Sequence, residues 1–397
     1  MQSVYVPYGA YWSTPFSRWQ MSLSELHSFD LAAQAAAKAA DKRHLPLEAL
    51  DFGVLGTTVP QRGAFYGLPW LAAEIGAPQL AGPTISQACA TSARILAEAT
   101  AAIRNGDASA SLAIATDRVS NGPHIYYPNP SGMGGAGEHE VWVLDNFAKD
   151  PWAGCAMVQT AENVAAEFRI TTAEQNELVL LRSEQYQAAL ANDRAFQRRY
   201  MVEPIEITDR KGRVLVSCTG DEGIRPMERA AVEALKPALP DGTVTYAGQT
   251  HPADGAAGMI VTSADKAAAF SQDPAITIEI VSFGQFRERK AYMPAAPIGA
   301  SRRALAAADI GIDQVAAIKS HNPFAVNDIA FARAFGIGVE KLNNYGCSLI
   351  WGHPQGPTGL RAIIELIEEL VISGGGYGLF QGCAAGDTGM AAVIKVS

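Results

Sequence analysis

Two stretches of the chain share a pattern that restricts its fold more than any other feature. Segments 90–99 (ATSARILAEA) and 357–366 (PTGLRAIIEL) carry Thr, Arg and Glu at the same three positions. Each segment predicts a helix, and each is followed by a glycine turn and an apolar strand, 111–116 (SLAIAT) and 377–383 (YGLFQGC). An internal duplication within an α/β protein explains both the identities and the shared element order.

A more polar module interrupts the alternation of helices and strands. Residues 120–140 are rich in Gly, Pro and Asn, and polar helical patterns follow at 158–168 and 172–192. Regular α/β order returns at 241–248. We therefore predict an inserted module over about 120–246.

Charge and cysteine usage exclude several classes of protein. The 397 residues carry a formal net charge of −9, which argues against a nucleic-acid or anionic-membrane surface. No basic-then-apolar leader and no bilayer-length apolar run is present in the sequence. The five cysteines are widely spaced and form no CxxC pair, which is typical of a reducing compartment. We expect a cytoplasmic location.

Cys89 precedes the first duplicated helix, in SQACATSARIL. A helix N-terminus lowers the pKa of a thiol and makes it reactive, so Cys89 is a candidate nucleophile. Free cysteines are also among the most buried residues, and this stretch alone leaves both interpretations open.

Three further residues lie where catalytic groups are often found. His353 lies in a Gly/Pro-rich turn (WGHPQGPTG), His321 ends a predicted strand before Asn322-Pro323, and Cys383 enters a Gly-rich loop. A surface turn, a strand end and tight packing are the respective non-catalytic interpretations. The spacing of these Cys and His residues matches no compact zinc motif, so no metal is expected.

Taken in order, these segments resemble the thiolase family over nearly the whole chain. DFGVLGTTVPQ and ISQACATSARILAEATAAIRNGD resemble the nucleophile region, MVQTAENVAAEF the loop domain, and GTVTYAG and DGAAGMIV the return from it. WGHPQGPTGLR and GCAAGDTGMA resemble the GHP and C-terminal cysteine motifs. The resemblance implies a five-layered αβαβα fold built from two duplicated halves: residues 1–119 with 247–273, and 274–397. The loop domain of residues 120–246 would bind coenzyme A.

The resemblance also implies a mechanism. Cys89 attacks a 3-oxoacyl-CoA, His353 takes the thiol proton, and Cys383 protonates the leaving acetyl-CoA carbanion and later deprotonates coenzyme A. The backbone N–H groups of Cys89 and Ala385 form one oxyanion hole. His321, in the motif position His-Asn-Pro-Phe, contributes to the other.

The resemblance places the remaining candidate residues around coenzyme A or the acyl group. Coenzyme A is a substrate in this scheme, and no cofactor is implied. The substrate-binding candidates are Arg225, Met157, Ala247, Gly248, His251 and Phe324.

Departures from the family pattern bear on the substrate. The family's Cys-x-Gly-Gly-Gly loop is Cys383-Ala384-Ala385-Gly386-Asp387 here, Ala156 replaces a histidine, and His251 and Pro252 stand in a shortened segment. These changes favour a bulky, branched or aromatic 3-oxoacyl chain over acetoacetyl-CoA.

Two alternatives remain open. A 3-oxoacyl synthase would use Cys89, His321 and His353, and would not need Cys383. A catalytically silent CoA-binding subunit would need none of these groups. By resemblance we expect a homodimer or homotetramer, with an additional small subunit as a further option.

Overall fold

The computed structural model describes residues 2–397, and its helices and strands alternate along most of the chain. The strands are β1 (Val4–Tyr5), β2 (Tyr11–Ser13), β3 (Ser17–Arg18), β4 (Phe52–Gly56), β5 (Thr84–Ile85), β6 (Ala110–Asp117), β7 (His124–Tyr127), β8 (Glu138–Val141), β9 (Ile205–Thr208), β10 (Val214–Cys218), β11 (Ala253–Ser263), β12 (Ile278–Arg287), β13 (Val315–His321), β14 (Gly376–Ala384) and β15 (Thr388–Val396). The helices are α1 (Ser28–Arg43), α2 (Leu68–Glu74), α3 (Thr91–Asn105), α4 (Trp142–Ala148), α5 (Met157–Phe168), α6 (Thr172–Arg194), α7 (Arg229–Glu233), α8 (Ala264–Phe270), α9 (Ala296–Ala308), α10 (Ala325–Phe335), α11 (Ser348–Trp351) and α12 (Thr358–Ser373).

The main sheet repeats one strand pattern on either side of its middle. Its order is β13-β14-β15-β12-β1-β11-β6-β4-β5. In the first half β4 is parallel to β6, and β6, β11 and β1 follow as antiparallel neighbours. In the second half β13 is parallel to β14, and β14, β15 and β12 follow as antiparallel neighbours. The pairing of β1 with β12 joins the halves, so the topology confirms the duplication predicted from the two similar helices.

The helices complete five layers around the two halves of the sheet. The duplicated helices α3 and α12 contact each other in the middle layer, each packed on the strands of its own half. Their apolar side chains, including Ile95, Leu96, Ile363 and Ile367, share one core with the inner faces of the sheet. Helix α1 covers the outer face of the first half and α9 that of the second. The αβαβα architecture is therefore as predicted.

An insertion separates β6 from β11. Residues 118–252 carry two short hairpins, β7–β8 and β9–β10, and helices α4 to α7. The stretch 241–248, where regular order was predicted to return, forms turns, and the next strand begins at Ala253. None of the helices within residues 2–397 is both long and apolar enough to span a bilayer.

The topology brings the chemically interesting residues to one edge of the sheet. The parallel strands β13 and β14 end at His321 and beside Cys383, and β6 ends at Asp117. The N-terminal ends of α3 and α12 follow Cys89 and His353. Open α/β sheets place their sites at the carboxyl ends of parallel strands, and this chain follows that rule.

Candidate active site

A strained turn presents Cys89 at the start of α3. Ala88 adopts a left-handed conformation (φ +43°), which a residue with a Cβ rarely takes. Thr91 secures the turn, because its hydroxyl donates to the Ala88 carbonyl at 2.7 Å and accepts the Gln87 N–H at 2.8 Å. Cys89 is half-buried and lines a cavity. Backbone strain held in place by neighbours is typical of functional positions.

His353 faces the sulfur of Cys89. Its Nε2 lies 3.1 Å from Cys89 Sγ, and its Nδ1 lies 2.7 Å from the Thr358 hydroxyl. That hydroxyl donates its single proton to the Pro354 carbonyl, 2.5 Å away. Thr358 must therefore accept from His353 Nδ1–H, which assigns the neutral tautomer with a free lone pair on Nε2. This lone pair is positioned to take the thiol proton.

His321 lies directly beside His353. The two rings stack with centroids 4.0 Å apart. His321 Nδ1 lies 3.0 Å from the Ser348 hydroxyl, and its Nε2 is buried without a hydrogen-bond partner. A buried ring nitrogen without a partner is an exception to the usual pairing of polar groups, although His321 itself lines neither of the two cavities described below.

A buried polar network supports the His321 segment. The Asp328 carboxylate accepts from the Asn322 amide (2.7 Å), the Ser320 hydroxyl (2.7 Å) and the Asn343 amide (3.0 Å). Arg182, from α6, pairs with Asp328 at 2.9 Å, and both side chains are fully buried. The insertion is thereby fixed to the second half, close to the His321 segment. Asn322, which replaces the acidic residue of the family motif, acts as a donor in this network.

Cys383 lies close to Cys89, and Asn327 donates to it. The Asn327 amide nitrogen is 3.2 Å from Cys383 Sγ, while its oxygen accepts the Phe324 backbone N–H at 3.1 Å. Sequence reasoning missed Asn327. The only available signal was its position three residues after Phe324, where a side chain can cap α10.

A carboxylate that sequence reasoning also missed joins the two halves at this edge. Asp117 is fully buried and accepts from the backbone N–H of Thr58 (2.7 Å), Val59 (3.1 Å) and Gly356 (2.6 Å). Gly356 belongs to the turn that carries His353. Asp117 therefore fixes that turn against the first half, and its place at the end of a buried strand was the signal available in the sequence.

Burial favours the neutral form of each candidate catalytic group. It raises the pKa of the Cys89 thiol to about 12, although the Ala385 and Cys89 backbone N–H groups act in the opposite direction. Burial also raises the pKa of Cys383 well above its usual range, and nearby Cys89 adds to this rise. Burial lowers the pKa of His353 well below 6.5, helped by His321, and lowers that of His321 to about 3. The predicted lowering of the Cys89 pKa by the helix is thus wrong, because desolvation of the thiolate exceeds the stabilisation by N–H groups.

The three side chains Cys89, His321 and His353 form one compact group. Their ligand-type atoms all lie within 4.8 Å of one another. This donor set resembles one that a soft metal ion can use, although nothing in the sequence spacing suggested it. The expectation of no metal stays a prediction.

Two adjoining cavities meet at Gln249, Thr250 and Pro252. The first, of about 560 Å³, contains Cys89 and His353. The second cavity, of about 570 Å³, adjoins the first at these three shared residues. Both volumes fall within the usual range for small-molecule sites.

The two cavities divide the predicted binding residues. Met157, Phe324 and Ala385 line the first cavity, and Arg225, Ala247 and His251 line the second. Gly248 is not among the lining residues of either cavity, and its carbonyl accepts the backbone N–H of Ala325 at 2.9 Å. The substrate contact predicted for Gly248 stays a prediction, and the observed bond from Ala325 connects Gly248 to the start of α10.

Fold, site and sequence comparison agree on the class of the protein. The model for the thiolase N-terminal domain matches residues 10–265, and that for the thiolase C-terminal domain matches residues 275–396. The chain belongs to the thiolase family, and it is an acyltransferase. The predicted family and enzyme class are confirmed.

Several named proteins are similar to the chain over nearly its full length. A beta-ketoadipyl-CoA thiolase of Pseudomonas aeruginosa is 30% identical over 96% of each chain, and an acetyl-CoA acetyltransferase of the same species is 27% identical over 96% of each. Among solved structures, human mitochondrial 3-ketoacyl-CoA thiolase in complex with CoA has a TM-score of 0.89 at 25% identity, covering 100% of this chain and 98% of that one. Bacillus anthracis acetyl-CoA acetyltransferase has a TM-score of 0.91 at 24% identity, covering 100% of this chain and 99% of that one, and supports the fold.

Proposed function

We propose that the protein cleaves a 3-oxoacyl-CoA with coenzyme A, or catalyses the reverse Claisen condensation, through an acyl group on Cys89. The observation that carries this proposal is the 3.1 Å contact between Cys89 Sγ and the free lone pair of His353 Nε2, with Cys383 beside it. Coenzyme A acts as a substrate, and the proposal includes no bound cofactor or metal.

The first half-reaction transfers the acyl group to Cys89. His353 takes the thiol proton as Sγ attacks the 3-oxo carbon, and the bond between C2 and C3 then breaks. The electron pair stays on C2 as an acetyl-CoA carbanion, which receives the Cys383 proton. A pKa well above its usual range keeps Cys383 protonated at neutral pH, and therefore able to donate.

The second half-reaction releases the acyl group. The Cys383 thiolate takes the proton of coenzyme A, whose sulfur attacks the thioester carbon on Cys89. The bond from the acyl carbon to Sγ breaks, and Sγ recovers its proton from the His353 imidazolium. Splitting the reaction through a covalent intermediate predicts ping-pong kinetics.

Two groups of donors serve the developing oxyanions. The backbone N–H groups of Cys89 and Ala385 both act to lower the pKa of the Cys89 thiol, and this stabilisation of negative charge supports their place in one hole. In the other oxyanion hole, His321 Nε2 must carry a proton in order to donate to the thioester oxygen. This requires Nδ1 to accept from Ser348, whose hydroxyl has one proton and a second possible acceptor in Asn322 Oδ1 at 3.0 Å.

Replacing Ser348 with alanine is expected to lower kcat about tenfold, the effect of losing one aligned hydrogen bond of about 1.4 kcal/mol. His321 then loses the donor that selects its Nε2–H tautomer. KM should change less than kcat, because the loss falls on the transition state. S348T retains the hydroxyl and should recover most of the rate. Equal loss in S348A and S348T, or a loss in KM alone, would contradict the role.

The second cavity fits the nucleotide end of coenzyme A. Arg225 is an exposed cation on its wall, and a guanidinium is a planar, permanently charged partner for a phosphate. The proposal therefore places the CoA nucleotide at Arg225, the pantetheine arm along the shared residues, and the thioester at Cys89.

Arg225→Gln is expected to raise KM for coenzyme A about tenfold with little change in kcat, because one charge-assisted contact is lost. Arg229→Gln is the matched control: Arg229 is an exposed arginine paired with Glu177 and Glu233 and does not line the cavity. Steady-state kinetics with coenzyme A and with N-acetylcysteamine, which lacks the nucleotide, would test this. The same KM change for both thiols would place the nucleotide elsewhere.

The substrate chain is proposed to be bulkier than acetoacetyl. The first cavity is lined mainly by apolar side chains, and its volume exceeds the needs of a single terminal methyl group. The changed cysteine loop leaves this space open: the Asp387 carboxylate accepts the backbone N–H groups of Ala291 (2.9 Å) and Tyr292 (3.0 Å). Asp387 is thereby held by a neighbouring loop, and these hydrogen bonds stabilise its carboxylate.

Peptide mapping of covalent adducts tests the proposed function. The protein is incubated with 3-oxoacyl-CoAs from acetoacetyl to branched and aryl members, without free coenzyme A. An acyl group on the Cys89 peptide, absent in Cys89→Ala, is the expected result. No adduct from any member, with coenzyme A binding intact, would contradict the proposal and favour a silent CoA-binding subunit.

A condensing enzyme of the synthase type is the second candidate. The compact group of Cys89, His321 and His353 favours it, since such an enzyme uses a Cys and two His residues. It would not need Cys383, so its activity should survive Cys383→Ser.

We also propose a cytoplasmic homo-oligomer, with a complex that contains an additional small subunit as the alternative. β5 lies at the edge of the main sheet, and the nearby Phe65 and Tyr66 are 96% and 71% exposed. An open strand edge beside exposed aromatic side chains favours pairing with a second copy. Light scattering on the purified protein should give a dimer or tetramer mass, and a monomer mass would contradict this.

A further inference from the structure

Helix α4 builds an aromatic wall for the first cavity. Trp142, Val143 and Phe147 line it from this helix, and Trp152 follows in the next turn. None of these four residues lines the second cavity. The wall therefore belongs to the first cavity alone, which also contains Cys89 and His353.

The α4 residues of the wall are fixed to the first half of the protein, whereas Trp152 is 59% exposed. Val143 packs in a small apolar cluster with Val59 and Val119, and Trp142 and Phe147 pack against that cluster. The Trp142 indole N–H also donates to the Thr58 carbonyl at 3.0 Å. A wall held by packing and a hydrogen bond has a defined shape, which is what a specificity surface requires.

The lining of the first cavity includes a negatively charged side chain and, among the residues that the structure describes, no Arg or Lys side chain. The one carboxylate among these lining residues is Asp150. Asp150 is 5% exposed and accepts the backbone N–H groups of Trp152 (2.7 Å) and Ala153 (2.8 Å). The cations nearest the Trp152 ring, Arg287 and Lys290, are solvent-exposed and do not line the cavity.

We propose that the acyl chain of the substrate is uncharged, ends in a bulky aromatic or branched group seated against α4, and that a chain ending in a carboxylate is rejected. The inference rests on the proposed function and names its substrate class. Apolar contact favours the uncharged chain, at about fourfold in rate per buried methylene. A terminal carboxylate would lose water without gaining a cation, and would meet Asp150.

This proposal gives the chain a different substrate class from that of one of its relatives. The Pseudomonas beta-ketoadipyl-CoA thiolase is named for a substrate whose acyl chain ends in a carboxylate. At 30% identity the two proteins share a family, and the cavity lining described here gives a physical reason for them to differ in substrate.

The test compares kcat/KM for four substrates: acetoacetyl-CoA, benzoylacetyl-CoA, 3-oxoadipyl-CoA and the monomethyl ester of 3-oxoadipyl-CoA. We expect benzoylacetyl-CoA to exceed acetoacetyl-CoA by about ten- to hundredfold, the value of burying a phenyl ring. We expect kcat/KM for the ester to exceed kcat/KM for the acid by about 10²-fold. The two substrates differ mainly by the charge.

Two variants and a control assign these preferences to residues. Asp150→Asn retains the oxygen that accepts the turn N–H groups and removes the charge, so it should narrow the gap between acid and ester by about tenfold. Phe147→Ala should reduce the aromatic preference about five- to tenfold. Leu144→Ala is the control, because Leu144 lies on α4, is 52% exposed and does not line the cavity. It should leave both ratios unchanged.

The outcomes separate this inference from the function on which it rests. Cleavage of acetoacetyl-CoA faster than benzoylacetyl-CoA, or equal cleavage of acid and ester, overturns the substrate class and leaves the thiolase function standing. Absence of cleavage of all four substrates, with no acyl group on Cys89, overturns the function and the inference with it. Unchanged ratios in Asp150→Asn and Phe147→Ala overturn the assignment to α4.

Discussion

Replacing His353 with glutamine is expected to lower kcat/KM for 3-oxoacyl-CoA cleavage by about 10²–10⁴-fold, the usual contribution of a positioned general base. The physical reason is the buried environment of Cys89, which raises the pKa of its thiol to about 12. At that pKa roughly one thiol in 10⁵ is ionised at pH 7. Without a base at 3.1 Å, attack must wait for this small thiolate fraction.

The pH dependence distinguishes loss of the base from loss of structure. Burial lowers the pKa of His353 well below its usual value of 6.5, which favours the neutral, proton-accepting form of the ring. The wild-type rate should therefore not fall through protonation of this ring as the pH is lowered from 8 to 6. In His353→Gln the residual rate should rise about tenfold per pH unit, since the thiolate fraction does so below its pKa.

One control variant and two checks of folding make this prediction decisive. His139→Gln, on the exposed β7–β8 hairpin, is the control for loss of a histidine and should retain wild-type kinetics. Circular dichroism and coenzyme A binding should show that His353→Gln is folded. A flat pH profile in His353→Gln, or a loss of less than about tenfold, would show that His353 is not the base.

The duplication could be predicted from the sequence because its evidence is local. Segments 90–99 and 357–366 each carry a complete helix signal, and each leads into a buried strand. Helix α3 and helix α12 then occupy matching places, and the strand pattern repeats around the β1–β12 junction. Repeated local patterns of this kind predict topology because each copy must bury the same faces.

The electrostatics of Cys89 could not be predicted from the same information. Its place at a helix N-terminus is visible in the sequence, and it led to the wrong direction for the pKa. What decides the pKa is how much protein surrounds the sulfur, and that depends on the second half of the chain, including His353 and Ala385. Desolvation is a tertiary property, so a local motif cannot report it.

The supporting residues were missed for a related reason. Thr358, Asn327 and Asp117 act through single hydrogen bonds to His353, Cys383 and the turn at Gly356. Thr and Asn near a helix start are ordinary capping residues, so nothing in their type separates a positioning role from a cap. Their roles follow only from which atom each one meets.

Replacing Cys383 with serine is the second change for which we expect a large effect, a loss of about 10²–10⁴ in kcat/KM. Serine keeps the size and can still accept the Asn327 amide that lies 3.2 Å from the sulfur, but a hydroxyl is a far weaker acid than a thiol. The C2 carbanion would then lack its proton donor.

A second readout isolates the role of Cys383 from that of Cys89. By microscopic reversibility, the Cys383 thiolate removes a C2 proton from acetyl-CoA, so the wild-type protein should exchange deuterium from D₂O into the acetyl methyl group. Cys383→Ser should lose this exchange while its Cys89 still reacts with iodoacetamide, because His353 remains 3.1 Å from that sulfur. Retention of cleavage within about threefold of wild type, a change too small for loss of a general acid, would exclude Cys383 as the acid. It would leave Cys89, His321 and His353 as the reacting set for that cleavage.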